Sequence, residues 1–314
     1  MKTTYISFLF SLTVICGCKT DSSVMPDPGK FQTKYVIVIS VDGPRYVETW
    51  GEPELKYIPE RYRLSKSGCY LTEMYNLGVT NTNSGTSAIT TGVYENVDNS
   101  GAQYPSNPSM FQYYLKKTGL NAEKCQVITS KDKLYVLTNC KTAPWNGVYN
   151  PEYDCGNAGN GTGYRLDDTT YRHAIKILSK KHPHLSLIQF KEPDVSGHAN
   201  DWPGYIEGIK NTDKLVSYIW NFLQNDKFYK GKTTLMVSND HGRHDDGWMN
   251  GFINHGDNCN GCRHIELFAI GPDFKKGAVI HNTYEQIDIA ATVNYIMNLG
   301  MTTGKGKVIT DLFY

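Results

Sequence analysis

Residues 35–45, YVIVISVDGPR, constrain the fold more than any other part of the chain. Val36, Ile37, Val38, Ile39 and Val41 make a nearly continuous β-branched run. It is too short to span a membrane and polar residues bound it, so it predicts a strand buried on both faces of a parallel sheet. Asp42 ends the run, and Gly43-Pro44 follows, a turn pair that cannot extend the ladder. A carboxylate at the carboxyl end of a central parallel strand sits where open α/β sheets hold their ligands. The plainer alternative is an aspartate that caps the next turn.

Similar buried runs recur at residues 185–190 (LSLIQF), 233–238 (TTLMVS) and 265–270. Between them lie helical patterns. Residues 57–66 form a short one. Asn107-Pro108, MFQYYLKK and Gly119 give a cap, a first-turn proline and a stop. Residues 170–181 are amphipathic, Ile206 to Leu223 recur at helical spacing, and residues 287–299 close the chain. Residues 126–130 and 134–137 read as strand fragments around Lys131-Asp132-Lys133. Strands alternating with helices predict an α/β fold: a doubly wound, mostly parallel sheet with helices on both faces. No repeat or break in composition divides residues 35–314, which are expected to form one catalytic domain.

The N-terminus stands outside the fold. Lys2 supplies a charge, Ile6 to Val14 an apolar core, and Ile15-Cys16-Gly17-Cys18 matches the bacterial lipoprotein pattern. Residues 1–18 are expected to be a signal peptide through the lipidated Cys18, and residues 19–34 a polar tether. The domain is then exported, anchored at the periplasmic or cell-surface face of a membrane. A plain cleaved signal peptide is the alternative, and it also places the domain outside the cytoplasm. Lysine plus arginine (32) balances aspartate plus glutamate (31), which gives no electrostatic case for nucleic acid.

Six cysteines remain after Cys16 and Cys18: Cys69, Cys125, Cys140, Cys155, Cys259 and Cys262. An even number in an exported domain suggests disulfides. Cys259-Asn-Gly-Cys262 could be half of a zinc knuckle. No second CxxC completes it, so a tight disulfide is expected there.

Three of the buried runs finish in metal-binding residue types: Asp42, then Asp194 with His198, then Asp240 with His241. Each is weak alone, but three at one edge of a sheet share a surface. Oxygen and imidazole ligands together suit zinc, ahead of manganese or iron. Between the first two runs, residues 76–92 are dense in small hydroxyl side chains. They suit a tight loop feeding a short helix whose N-terminal amides face an anion.

At these residues the chain resembles the alkaline phosphatase superfamily. The likeness rests on VISVDGPR, the segment ending in Thr91-Gly92, Glu192-Pro-Asp194-x-x-x-His198, Asn239-Asp240-His241-Gly242 and LFAIGPDFKKG, and spans residues 35–314. Order and spacing are similar to those of nucleotide pyrophosphatase/phosphodiesterases and threonine-nucleophile alkaline phosphatases. In that family the nucleophile lies ten residues before the glycine of a Thr-Gly pair, which implies Thr82. Residue chemistry alone leaves Thr80, Ser84, Thr86 and Ser87 open. The resemblance implies two divalent metals, one held by Asp42, Thr82, Asp240 and His241. The second would be held by Asp194, His198 and a further histidine, His255 by its Gly-Asp-Asn context, with His264 in reserve. His244 matches no family ligand, and His173, His182, His184 and His281 read as surface or helix histidines.

A metal-lowered pKa would make the threonine hydroxyl a competent nucleophile, and the second ion would stabilise the leaving oxygen. Lys131 and Lys133, two apart in an extended segment, would point to one side and hold one phosphate. The threonine phosphatases carry a similar Lys-Asp-Arg. Lysine in second place loses the bidentate fork and leaves a point charge. The family also places an asparagine beyond the Thr-Gly pair on the phosphoryl group. Asn99 and Gln103 both lie in range. The implied function is hydrolysis of a small phosphorylated substrate, with monoesters favoured by the lysine pair. A phosphodiesterase or nucleotide pyrophosphatase is the alternative, and a non-catalytic surface-binding lipoprotein on the same scaffold the second. Residues 82–86 lack the Cys/Ser-x-Pro-x-Arg of sulfatases.

Overall fold

The computed structural model describes residues 1, 25–28 and 30–314. The expected signal peptide, Cys18 and most of the tether therefore lie outside the described residues. In chain order the elements are β1 (Tyr35–Asp42), α1 (Pro59–Ser65), β2 (Cys69–Tyr75), α2 (Thr82–Thr91), α3 (Met110–Thr118), β3 (Cys125–Thr129) and β4 (Glu152–Cys155). There follow α4 (Asp167–Lys181), β5 (Leu185–Pro193), α5 (Asp194–His198), α6 (Trp202–Asn225) and β6 (Thr233–Asn239). The chain closes with α7 (Asn260–Arg263), β7 (His264–Ile270), β8 (Ala278–Ile280), β9 (Tyr284–Glu285) and α8 (Asp288–Met297).

Among the described residues these strands form one sheet in the order β4-β3-β5-β1-β6-β7-β2-β8, with β9 also on β2. The β-branched run of β1 sits at its centre, parallel to β5 on one side and β6 on the other. Burial on both faces explains its composition. Val36 and Val38 enter one core with α2, α3 and α8, while Ile37, Ile39 and Val41 enter the other with α1, α4 and α6. The expected α/β sheet with helices on both faces is thus observed. It is mixed rather than wholly parallel, because β7 runs antiparallel to both β6 and β2. Nothing in the apolar run of residues 265–270 encodes that reversal, since a run buried on both faces reads alike in either direction.

Three local expectations are corrected. Residues 132–138 form a 3-10 segment rather than a strand. Ser109, not Asn107, precedes α3; Asn107 instead donates from Nδ2 to the Glu95 carboxylate at 2.8 Å. None of the six described cysteines is paired. Cys69, Cys125 and Cys155 are buried within β2, β3 and β4, where a thiol serves as a small apolar side chain. No helix among the described residues is long and apolar enough to cross a membrane.

Candidate active site

Three adjacent strands, β5, β1 and β6, end side by side and bring their carboxylates to one place. Val41 pairs with Asn239, so Asp42 and Asp240 leave neighbouring strand ends together. The β1–β5 register slips between Val41, opposite Phe190, and Asp42, opposite Pro193. The additional length of β5 turns the chain into α5 and sets Asp194 at the same edge, with His198 one helical turn on. Gly43, at φ +67°, makes the turn after β1, and its amide donates to Asp240 Oδ1 at 3.2 Å.

Asp42, Asp240 and His241 are fully buried. Asp42 Oδ1, Asp240 Oδ2 and His241 Nε2 have no hydrogen-bond partner among the described residues, and the imidazole nitrogen lies 3.6 and 3.5 Å from the two oxygens. Those separations are too long for hydrogen bonds. They match roughly 3.4 Å, the edge of a tetrahedron around an ion with ~2.1 Å ligand bonds. His241 Nδ1 faces the Gly242 carbonyl at 2.9 Å, an arrangement that puts the proton on Nδ1 and turns the Nε2 lone pair inward. Burial, then the His255 ring beside it, push His241 well below the usual imidazole range, so it is neutral. Burial raises Asp42 to about 6 against the pull of Lys131, and burial with the Asp42 charge raises Asp240 well above the carboxylate range. Carboxylates crowded in a dry site want a cation, and these donors fit a divalent metal.

A second group of donors adjoins the first. His255 Nε2 and His198 Nε2 lie 3.4 and 3.3 Å from Asp194 Oδ1. The His255 and His241 rings stack at 3.7 Å. His255 Nδ1 faces the Thr80 carbonyl at 2.7 Å, which again frees Nε2 as a ligand atom. His264 is elsewhere: it stacks between Tyr46 and Tyr75, and its Nε2 sits 2.8 Å from the Thr72 carbonyl. The structure brings His255, and not His264, to the site. Burial opposes ionisation of Asp194, but Lys131 and the surrounding donors hold it well below the carboxylate range. One of those donors, Arg243, was not singled out from the sequence. It is fully buried, bonds Asp194 Oδ1 through Nη1, and bonds the carbonyls of Phe252 and Ile253. Its only sequence signal is its place three residues after Asp240.

Thr82 opens α2, capped by Asn81, whose side chain accepts from the Ser84 amide at 2.9 Å. Every residue of α2 is buried although most carry hydroxyls. Thr86, Thr90 and Thr91 donate to carbonyls one turn back, so those three hydroxyls are satisfied inside the helix, and Ser84 Oγ donates to the Val97 carbonyl at 3.2 Å. The helix can lie against the end of β6 because position 85 is glycine. A Cβ there would stand 2.2 Å from the Asp240 carbonyl oxygen. Lys131 Nζ donates to Thr82 Oγ1 at 3.2 Å and pairs with Asp194 and Asp42 at 2.6 and 2.9 Å. Lys133 Nζ instead donates to Asn99 Oδ1 at 2.9 Å, and that oxygen also accepts from the Asn83 amide in α2. Residues 132–138 coil rather than extend, yet both ammonium groups reach the start of α2, Lys131 at Thr82 Oγ1 and Lys133 at the Asn99 oxygen beside the Asn83 amide. Burial, then Lys131, lower the Lys133 ammonium to about 8. Asn99 reaches the site margin, whereas the Gln103 side chain accepts from the Asp98 amide at 3.4 Å.

An α/β sheet carrying buried carboxylate and imidazole donors with partnerless lone pairs is a metal-binding enzyme scaffold. Residues 68–299 match the family described as the metalloenzyme superfamily, and the chain belongs to it. Solved structures share the fold. A protein in the alkaline phosphatase superfamily from Vibrio parahaemolyticus is 17% identical with TM-score 0.63, over 90% of this chain and 72% of that one. Murine ectonucleotide pyrophosphatase/phosphodiesterase 5 is 16% identical with TM-score 0.65, over 89% of this chain and 100% of that one. Phosphonate monoester hydrolase of Agrobacterium radiobacter is 14% identical with TM-score 0.65, over 89% and 77%. No curated protein matches the sequence.

Proposed function

We propose that this chain hydrolyses phosphate esters, monoesters by preference, with Thr82 as nucleophile and two divalent ions, zinc for choice. One observation carries the reading. The Thr82 hydroxyl, at the start of a buried helix, lies beside a lysine ammonium that also touches Asp42 and Asp194, one from each donor group. Asp42, Asp240, His241 and Thr82 would hold one ion, and Asp194, His198 and His255 the other. Bound divalent ions would lower the pKa of the hydroxyl and of water, and offset charge on the entering and leaving oxygens.

The chain's own residues do the rest. Thr82 Oγ1 attacks phosphorus while its proton passes to solvent, and the bond from phosphorus to the leaving oxygen breaks, that oxygen taking a proton from water to depart as the alcohol. Water then cleaves the Thr82–phosphoryl bond and restores the hydroxyl. Lys131, donating to Oγ1, stabilises negative charge there before attack. Lys133 and Asn99 lie where non-bridging oxygens can be held. A structure of the murine protein above, an inactive threonine-to-alanine variant, holds AMP, which fits a small phosphorylated substrate.

One observation favours the diester reading instead. Lys131 is already engaged by two carboxylates, which leaves Lys133 as the freer cation for a second phosphate charge. Rates on p-nitrophenyl phosphate and bis-p-nitrophenyl phosphate separate the two. A faster monoester supports the proposal, a strong diester preference replaces it, and inertness of the metal-loaded protein toward both ends the hydrolase reading. Export and acylation at Cys18 belong to the same proposal. Labelled palmitate should enter the expressed protein and be lost in Cys18→Ser; equal labelling of both would refute it.

A further inference from the structure

Beyond the two donor groups of the active site, the described residues hold a third cluster: His244, Asp257, Cys259 and Cys262, with ligand atoms all within 4.8 Å of one another. We propose that these four side chains form a closed structural zinc site that pins the segment carrying His255. The proposal does not depend on the hydrolase reading.

The donor set is the first argument. Two thiolates, an imidazole and a carboxylate are the soft-to-borderline mixture that selects zinc in a closed four-coordinate site. The sequence pattern hid it, because the Cys259/Cys262 pair is completed by a histidine and an aspartate on either side of a loop rather than by a second CxxC. Geometry is the second argument. His244 Nε2 and Asp257 Oδ2 are 3.4 Å apart, too long for a hydrogen bond, and close to roughly 3.4 Å, the ligand–ligand edge of tetrahedral zinc with N and O ligands. His244 is 4% exposed, and its Nδ1 has no partner among the described residues. Nε2, the nitrogen on the other side of the ring, is the one that faces Asp257 and would ligate the ion.

The surroundings have the character of an outer shell. Trp248 Nε1 donates to Asp257 Oδ2 at 3.0 Å, the Cys259 amide donates to Asp257 Oδ1 at 2.9 Å, and the Cys262 amide donates to Cys259 Sγ at 3.4 Å. These bonds orient Asp257 and Cys259 and favour the charged form of Asp257, while burial pushes both thiols up in the absence of an ion, which a bound cation would reverse. In the structure neither sulfur is in a disulfide.

The connections give the site a purpose. Thr80 Oγ1 donates to the Asp257 carbonyl at 2.9 Å, and the Thr80 carbonyl accepts from His255 Nδ1 at 2.7 Å. Gly242, next to His241, donates to the Cys262 carbonyl at 2.8 Å. An ion on Asp257 and Cys262 would therefore tie the approach to Thr82, the end of β6 and His255 into one rigid unit. His244 and Asp257 are positioning residues in this sense, not catalytic ones.

Cobalt substitution tests this on the full chain, stripped of metal and reloaded. Thiolate ligation gives an intense near-ultraviolet sulfur-to-cobalt charge-transfer absorption, which oxygen and nitrogen ligands at the active site do not produce. The expected result is that absorption in the unaltered protein, its loss in the Cys259→Ser/Cys262→Ser variant, and a fall of about one zinc per chain by elemental analysis. Absence of the absorption in the unaltered protein, with a Cys259–Cys262 disulfide in its non-reduced peptides, overturns the proposal. So does an unchanged zinc content in a folded variant. Should the double variant fail to fold, the spectrum of the unaltered protein decides alone. None of these readouts depends on hydrolysis, so the site and the proposed activity stand or fall separately.

Discussion

The Nε2 atoms of His198 and His255 stand 3.0 Å apart, each facing Asp194 Oδ1. Two imidazole lone pairs at that range repel unless they share a proton or a cation. His264, the first residue of β7, is held between two tyrosine rings instead. His255→Ala should therefore remove about one metal ion per chain and lower activity by more than the 10–100-fold typical of an outer-shell loss. His264→Ala should leave metal content intact and cost about 1 kcal/mol of stability through its lost hydrogen bond. Elemental analysis of the two variants checks the pair; metal loss in His264→Ala alone would reverse the assignment.

Thr82→Ala should retain metal yet lose turnover of p-nitrophenyl phosphate by roughly 10³-fold or more, because the group that forms the covalent bond is gone. Parallel kinetics and metal analysis would show it. Full activity would remove Thr82 from the reaction.

Burial, then Lys131, set the Lys133 ammonium near 8. It is charged below that pH and neutral above it, so KM for a monoester should climb as pH passes through 8. Bound metal would offset the carboxylates that now favour the charged form, shifting this rise to lower pH. Lys133→Met should raise KM about tenfold at pH 7, the worth of one screened ionic contact, and flatten the profile. A profile that is unchanged in the variant would assign the titration elsewhere.

Asp42 titrates at about 6 in the metal-free site, raised mainly by burial. Below that pH a proton occupies a ligand oxygen, so metal affinity should fall as pH drops through 6, by roughly tenfold per unit for each competing proton. Without metal the sign for stability is opposite. A carboxyl whose folded pKa exceeds its unfolded one favours the fold at low pH, and that contribution is lost as pH rises from about 4 through 6. Zinc titrations and melting curves from pH 5 to 7, with and without chelator, would reveal both slopes; parallel slopes would contradict this account.

Gly85→Ala should act on activity from outside the donor groups. The new Cβ would stand 2.2 Å from the Asp240 carbonyl oxygen, so α2 must shift and carry Thr82 with it. A loss of about 1–3 kcal/mol in stability is expected from overpacking, with a larger fall in kcat than in metal content. Denaturant melts beside kinetics would test it, and an active, equally stable variant would show that the helix can yield.

Much of the scaffold was legible because burial writes itself locally. The runs ending at Asp42, Asp194 and Asp240 announce strands buried on both faces, and each stops at a carboxylate. The α2 segment was legible as a loop entering a short helix, but its full burial was not, since ten residues rich in hydroxyls look solvated until their bonds to carbonyls one turn back are seen. Lys131 and Lys133 look like neighbours in an extended segment, because the 3-10 segment at residues 132–138 leaves no clear periodic mark in so short a stretch.

The sequence by itself determined which segments are buried strands and that each ends in a metal-binding residue type, because side-chain polarity and shape act within a few residues. Only the tertiary structure decided that β5, β1 and β6 lie side by side, that β7 runs backwards, that His255 rather than His264 turns inward, and that His244 and Asp257 close around two cysteines. Most of those contacts join residues many positions apart. Their proximity is set by strand pairing and loop closure, which no local preference encodes.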